Sequence, residues 1–267
     1  MSKGIRRPHE VVDYDQLTQS FPPPPEYFDS TYLESRDEIE RKQLSRVKDR
    51  ALRAYQVPFF KRRWDKAGFD PNSIESLDDL SRVPFYTVDD IRKSIEANPP
   101  FGDYQGVLPK DAAQEPMRVF MSGGTTGTSR PTLYTAWDRE AGAILTARAL
   151  YQQGIRPGDT VLNAWAYSTH NGAFSMDEAL YKWLNCVVLT TGTGTVTSSQ
   201  RQIELAVQYG AKAILTTGDY LLRLAEKARE MGIDRQRKLT GGTDSPCRDP
   251  HLALRLGQQY FPYRLHW

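Results

Sequence analysis

The sequence predicts an α/β fold, with a helical N-terminal region followed by a mainly parallel sheet flanked by helices. Three observations carry this. From Thr160 onward, short runs rich in apolar or β-branched residues (160–165, 186–190, 211–217) alternate with helical patterns (175–184, 199–209, 219–231). Strands separated by helices of that length imply crossovers, hence parallel pairing with both sheet faces covered. Upstream, a long amphipathic pattern opens on a Ser-x-x-Glu cap at Ser35 and Glu38. Between the two regions lies a glycine-rich polar loop, with a short strand pattern before it and a helical pattern at 138–151 after it.

Composition narrows the function classes. The chain has 267 residues, 39% hydrophobic and 25% charged, with 35 Lys and Arg against 33 Asp and Glu, a net +2. A surplus that small gives no electrostatic footprint for nucleic acid or anionic lipid. No apolar run approaches the ~18 residues of a membrane helix, and the N-terminus has no apolar core of a signal peptide. Two cysteines, Cys186 and Cys247, exclude a disulfide framework and a four-thiolate zinc site. The composition is that of a cytoplasmic globular protein.

Taken in order, residues 1–25 read as a flexible lead-in ending in Pro22, Pro23, Pro24 and Pro25, a stiff extended spacer. The helix from Ser35 places Leu44, Val47, Ala51, Ala54 and Tyr55 on one stripe, with ion pairs expected at Glu38–Lys42 and Asp49–Arg53. Pro58 stops it, and Lys61-Arg62-Arg63 beyond reads as a solvated face. Residues 67–100 read as short loops and helices, with starts at Asn72-Ser73 and Asp89-Asp90. In the α/β half, Ser175 and Glu178 have capping-box spacing, and the 219–231 helix packs Leu221, Leu224, Ala225 and Ala228 on one side.

The most informative stretch is Met121-Ser122-Gly123-Gly124-Thr125-Thr126-Gly127-Thr128-Ser129-Arg130-Pro131. Glycines let several N–H groups converge on one point, the arrangement that holds phosphate. Ser122, Thr125, Thr126 and Thr128 add hydroxyl donors, and Arg130 a fixed cation. It is neither a Walker A loop nor a dinucleotide Gly-x-Gly-x-x-Gly. On composition alone, a surface turn of small polar residues explains it equally well. A second Gly/Thr loop at 190–197 reads chiefly as a strand-to-helix connection, with phosphate binding as the weaker alternative.

The order Ser-Gly-Gly-Thr-Thr-Gly resembles the phosphate loop of adenylate-forming (AMP-binding) enzymes, and its surroundings resemble the phenylacetate–coenzyme A ligase family. The stretches that carry this are Tyr27-Phe28-Asp29, the 43–55 helix, Val57-Pro58-Phe59-Phe60, and Ser76-Leu77-Asp78-Asp79-Leu80 with Val83-Pro84-Phe85. Downstream, Gln200-Arg201-Gln202-Ile203-Glu204-Leu205 and Thr217-Gly218-Asp219-Tyr220-Leu221-Leu222 continue it. The resemblance covers about residues 26–234 and implies part of an adenylate-forming large domain.

It also implies an AMP-forming acid–thiol ligase with ATP, coenzyme A and Mg²⁺ as cofactors. A carboxylic acid attacks the α-phosphorus of ATP, diphosphate leaves, and the thiol of coenzyme A then displaces AMP. The loop would hold the phosphates through Ser122, Gly123, Gly124, Thr125, Thr126, Gly127 and Thr128. The sequence departs from the family at Gly123, where a second Ser is usual, and at Thr128, where Lys is usual; Arg130 is the substitute cation. Tyr167, His170, Asn171 and Gly172, just after a predicted strand, line the acid pocket in this resemblance; for His170 a capping or surface role is the alternative.

The later family motifs, a Tyr-Gly-x-Thr-Glu-like stretch and a distal Lys, have no counterpart in these 267 residues. Residues 235–267 hold six basic and two acidic residues, leaving 29 basic against 31 acidic in the first 234. That break marks an atypical basic tail, read as an out-of-frame or truncated end, with a genuinely divergent C-terminus as the alternative. The expected activity of such a chain is therefore that of an incomplete, inactive ligase. The alternatives are a non-catalytic nucleotide- or partner-binding protein, or half of a split ligase completed by a complementing C-terminal chain.

Overall fold

The structure is a computed structural model that describes residue 6 and residues 8–122 and 129–233. Residues 123–128, the centre of the expected phosphate loop, and the tail at 235–267 lie outside the described residues. The chain divides into two compact units: Met1–Tyr14 with Phe28–Asp138, and Asp15–Tyr27 with Arg139–Trp267.

Where a flexible lead-in was expected, α1 (Pro8–Val11) and α2 (Tyr14–Ser20) form. Val12 is buried and Leu17 fully so. The proline run does not act as an extended spacer: the Tyr27 N–H donates to Pro23 O at 2.9 Å, turning the chain into α3 (Glu26–Asp29). Arg148 then donates from Nε to Pro22 O at 2.9 Å and sits 3.9 Å over the Tyr27 ring. Apolar burial and a cation–π contact thus fasten 15–27 to the second unit, which local composition could not reveal.

In the first unit, α4 (Arg36–Tyr55) is capped as expected: the Glu38 N–H donates to Ser35 Oγ and the Ser35 N–H to Glu38 Oε2, both at 3.3 Å. Its stripe of Leu44, Val47, Ala51, Ala54 and Tyr55 packs against Trp64, Phe69 and Ile74. The Asp49–Arg53 pair forms at 2.9 Å. The Glu38–Lys42 pair is not the one seen: Glu38 serves the cap, and Lys42 pairs with Glu34. Pro58 does more than end α4; it occupies the first turn of α5 (Pro58–Ala67), where its missing N–H costs nothing. On α5 the expected solvated basic run is ion-paired, Lys61 to Asp65 at 2.7 Å, Arg62 to Asp103 at 2.6 Å and Arg63 to Asp90 at 2.8 Å. Asn72-Ser73 lie in a single 3₁₀ turn, Pro71–Ser73.

Helix α6 (Val88–Ala97) starts at a reciprocal Thr87–Asp90 cap. Hydrogen bonds from the Thr87 N–H and hydroxyl, together with Arg63, lower the Asp90 carboxyl to about 2. A folded-state pKa below the unfolded value of about 4 contributes stability that is present above that value and lost as pH falls through the folded one. Asp90→Asn is therefore expected to lower stability at neutral pH and to flatten the loss of stability between pH 4 and 2, followed by urea denaturation at each pH. An unchanged acid limb would contradict this.

Strands β1 (Met117–Ser122) and β2 (Arg130–Thr135) pair antiparallel with Ser122 opposite Arg130. The short strand at 118–121 was expected; β2, directly after the loop, was not among the expected strands. Helix α7 (Ala136–Gln152) follows, starting at a reciprocal Thr135–Asp138 cap.

The second unit holds the parallel sheet: β3 (Thr160–Asn163) lies between β4 (Val187–Thr190) and β5 (Ala213–Leu215). Alternate residues serve opposite faces. Val161, Ala213 and Leu215 join Ala147, Leu150, Leu180 and Leu184 on one side. Leu162, Leu189 and Ile214 join Ala206, Ala211 and Tyr220 on the other. This is the expected sheet covered on both faces. Helix α8 spans Gly172–Glu178 and continues as a π-turn at Ala179–Trp183; α9 spans Ser199–Gln208 and α10 Gly218–Glu230. The expected Ser175–Glu178 cap does not form, since the helix starts three residues earlier and Glu178 is engaged by Arg139 at 2.7 Å. On α10, Leu224 is buried while Leu221, Ala225 and Ala228 are half-buried.

Candidate functional site

Two stretches carry the sequence-derived site residues, one in each unit, and each is described by itself. In the first unit, Ser122 and Arg130 stand opposite each other at the described ends of the glycine-rich loop. The register sets these two positions side by side at the loop's base. Gly123, Gly124, Thr125, Thr126, Gly127 and Thr128 lie outside the described residues. Phe120 is buried and meets Tyr134 edge to face at 5.6 Å, while Leu133 is buried as well.

The outer edge of β2 is held by a segment that sequence reasoning passed over. Gln105 Nε2 donates to Pro131 O at 2.8 Å, and Gln105 Oε1 accepts from the Leu133 N–H at 3.3 Å. The Tyr104 hydroxyl also donates to Pro131 O. Burial pushes the Tyr104 phenol up to about 12, opposed by the positive charge of Arg130. The segment is anchored behind: Ser94 Oγ accepts from the Asp103 N–H at 2.9 Å and donates to Asp103 Oδ1 at 2.7 Å. Gly102 has φ +70°, and a Cβ there would lie 2.7 Å from both Ser94 Oγ and the Tyr104 ring. Only glycine permits this close, left-handed turn.

In the second unit, β3 ends at Asn163, which is fully buried. Its Nδ2 donates to Tyr167 OH at 2.9 Å and Ala173 O at 3.0 Å, and its Oδ1 accepts from the Trp165 N–H at 3.3 Å. Tyr167 OH in turn donates to Asp177 Oδ1 at 2.8 Å, and its ring meets Phe174 edge to face at 5.4 Å. Burial, and then the Asp177 carboxylate, raise the Tyr167 pKa, so the phenol stays protonated. His170 is exposed; its N–H lies 3.5 Å from Ser168 Oγ. Asn171 precedes α8 and accepts through Oδ1 from Arg139 Nη1. A Cβ on Gly172 would come within 3.3 Å of the Trp165 ring, so glycine lets the indole lie against the helix start.

Arg139 and Glu140 are consecutive opposite charges on α7, both buried. Arg139 engages Glu178 and Asn171, while Glu140 accepts from Lys182 Nζ at 2.5 Å and Trp183 Nε1 at 3.1 Å. Neither they nor Asn163, Asp177 and Gln105 figured among the sequence-derived candidates. The available signal was an adjacent Arg-Glu pair on a helix otherwise rich in Ala and Leu, and an Asn at a strand's C-terminal end.

The second Gly/Thr loop is a strand-to-helix connection in which four amides are already used. The Thr191 and Gly192 N–H groups donate to Asn163 O at 3.2 and 3.3 Å, and those of Val196 and Thr197 to Thr193 O at 3.0 and 3.1 Å. Buried Gln202 donates to Gly192 O and Thr197 O, both at 2.9 Å. Donors turned inward in this way leave no converging nest for a phosphate at those amides. Among the described residues, no three His, Cys, Asp or Glu side chains form a group able to hold a metal ion, and no helix is long and apolar enough to cross a membrane.

Comparison with known proteins follows the same lines. A scan of family models finds no match. The phenylacetate–coenzyme A ligase of Aromatoleum evansii is 32% identical over 201 residues, 75% of this chain and 43% of that protein. That of Thermus thermophilus is 32% identical over 199 residues, 74% of this chain and 42% of that protein. Among solved structures, a 2-hydroxyisobutyryl-CoA ligase in complex with 2-HIB-AMP and CoA matches with a TM-score of 0.68 and 32% identity, covering 75% of this chain and 42% of that one. The chain thus spans less than half the length of these relatives. On these identities, with the helices and the parallel sheet in the expected order, the chain belongs to the phenylacetate–coenzyme A ligase family, as an N-terminal portion of it.

Proposed function

We propose that this chain supplies the diphosphate-holding loop and one wall of the acid pocket of an ATP-dependent, AMP-forming acyl–coenzyme A ligase. The observation that carries the reading is the hairpin that sets Ser122 opposite Arg130 across a Gly/Thr-rich loop, within a chain 32% identical to phenylacetate–coenzyme A ligases. A departing diphosphate needs converging N–H and hydroxyl donors and a fixed cation, acting by position and charge. Ser122, Gly123, Gly124, Thr125, Thr126, Gly127 and Thr128 are the donors in this reading, and Arg130 the cation. Mg²⁺ would share the phosphate charge when bound; no described residue is assigned to it.

In the acid pocket, Tyr167 spends its hydroxyl on Asn163 and Asp177 and offers its ring, while Asn171 has its carbonyl held by Arg139. That leaves exposed His170 and the small Gly172 to meet the carboxylic acid. The substrates are a small carboxylic acid, ATP and coenzyme A. Binding of ATP by these 267 residues is weak, because the relatives devote more than half their length to segments beyond the match.

The test is acyl–coenzyme A and AMP formation by the 267-residue polypeptide, alone and mixed with a polypeptide carrying the unmatched remainder of a curated relative. No turnover is expected alone, and acid-dependent AMP release on mixing, abolished by Gly124→Val. Turnover by the chain alone overturns the need for a complement. ATP binding without turnover in either arrangement overturns the ligase reading in favour of a non-catalytic nucleotide binder.

A further inference from the structure

In an antiparallel strand the N–H and C=O of one residue point to the same side. Pro131 O and the Leu133 N–H, both bonded to Gln105, therefore face away from β1. Proline is tolerated at 131 for the same reason: the donor it lacks belongs on that outer edge. A neighbouring strand residue would donate to Pro131 O and accept from the Leu133 N–H. The primary amide of Gln105 does both, at 2.8 and 3.3 Å, from a segment 26 to 28 residues away in sequence.

The support behind that amide is continuous. Arg62 on α5 pairs with Asp103 at 2.6 Å, Asp103 bonds Ser94 on α6, and the Phe59 N–H donates to Asp103 O at 3.3 Å. Gly102 makes the turn that aims Tyr104 and Gln105 at Pro131. Tyr104 is edge to face with buried Phe59 at 6.3 Å, which fixes its ring. The amide is thus held by the packed helices of the unit, not by an exposed loop.

We infer that Tyr104 and Gln105 are positioning residues for Arg130: Gln105 stands in for a third strand beside β2, Tyr104 seals the same carbonyl, and together they hold the start of β2, from which Arg130 reaches a bound diphosphate. The inference rests on the proposed ligase reading and extends it to residues that touch no phosphate. A cation on an unfastened edge strand samples several positions, and its attraction for a diphosphate is diluted accordingly. One held in register presents its guanidinium without that entropic loss.

The experiment is a double-mutant cycle on the full 267-residue chain, with inorganic diphosphate titrated into the millimolar range. Gln105→Leu, which carries no new charge, and Arg130→Gln are each expected to weaken binding about tenfold, and the double variant no more than either alone. Losses that multiply in the double variant overturn the inference while leaving the ligase reading intact. Wild-type chain that binds no diphosphate overturns the inference alone; the ligase reading stands or falls on acid-dependent AMP release by the mixed polypeptides. Amide exchange supplies a ligand-independent arm: in Gln105→Leu the Leu133 N–H should exchange faster while that of Thr132, which faces β1, keeps its protection. Equal protection at Leu133 with and without Gln105 overturns the inference. Should Gln105→Leu not fold, Tyr104→Phe removes a single hydroxyl and should give the same non-additivity with Arg130→Gln; multiplying losses in that pair overturn it equally.

Discussion

Arg139→Met is expected to lower the free energy of unfolding by about 3 kcal/mol, the cost of stranding one half of a buried ion pair. Arg139 is 8% exposed at its side chain and Glu178 14%, with 2.7 Å between them. Methionine preserves much of the packing volume but leaves the Glu178 carboxylate without its cation and Asn171 Oδ1 without its donor. Two further measurements separate the charge effect from a packing effect. The deficit should shrink as pH falls, because a stranded carboxylate has a raised folded-state pKa and takes up its proton early. The pair Arg139→Met with Glu178→Leu should recover most of the loss, since apolar replacement of a whole buried pair is often neutral. Urea denaturation of the three variants at several pH values reads all of this. Equal destabilisation in single and double variants would show that packing, not charge, is at stake.

Leu17→Ala is expected to destabilise by about 3 kcal/mol, the range for a large-to-small change at a fully buried site. Leu17 is 0% exposed and lies in α2, in a segment that Arg148 holds through Pro22 O and the Tyr27 ring. A flexible lead-in would instead tolerate the change within about 0.5 kcal/mol, as surface substitutions do. Thermal and urea denaturation decide between the two. Deleting residues 1–25 should destabilise more than Leu17→Ala, because the Arg148 contact to Pro22 goes as well. A deletion variant as stable as the intact chain would return these residues to the status of a spacer.

Much of the fold was legible because its signals are local. The Ser35–Glu38 cap, the Leu44 to Tyr55 stripe and the three β-branched strands each depend on residues within a few positions of one another. Their periods of 3.6 and 2 are imposed by backbone geometry. Local signals also misled where a distant partner took the group. Glu178 has capping spacing from Ser175, but Arg139, 39 residues away, holds it. Lys42 has helical spacing from Glu38, yet pairs with Glu34 because Glu38 is spent on the cap. Strand β2 hid behind Pro131, whose missing donor matters only if its N side is known to face outward. Gln105 was illegible as well, since a strand-mimicking amide has no local period.

The sequence by itself determined the long capped helix at 36–55, the parallel pairing of the last three strands, and the family to which the Ser-Gly-Gly-Thr-Thr-Gly loop belongs. Tertiary structure alone decided which polar groups remain to meet a ligand. Tyr167 and Asn171 look equally available with His170 in the sequence. In the fold, Asn163, Asp177 and Arg139 claim the Tyr167 hydroxyl and the Asn171 carbonyl, while His170 is exposed. A buried polar group must be hydrogen-bonded, and whichever partner packing brings within about 3 Å takes it. That partner lies up to 32 residues away here, beyond the reach of any local pattern.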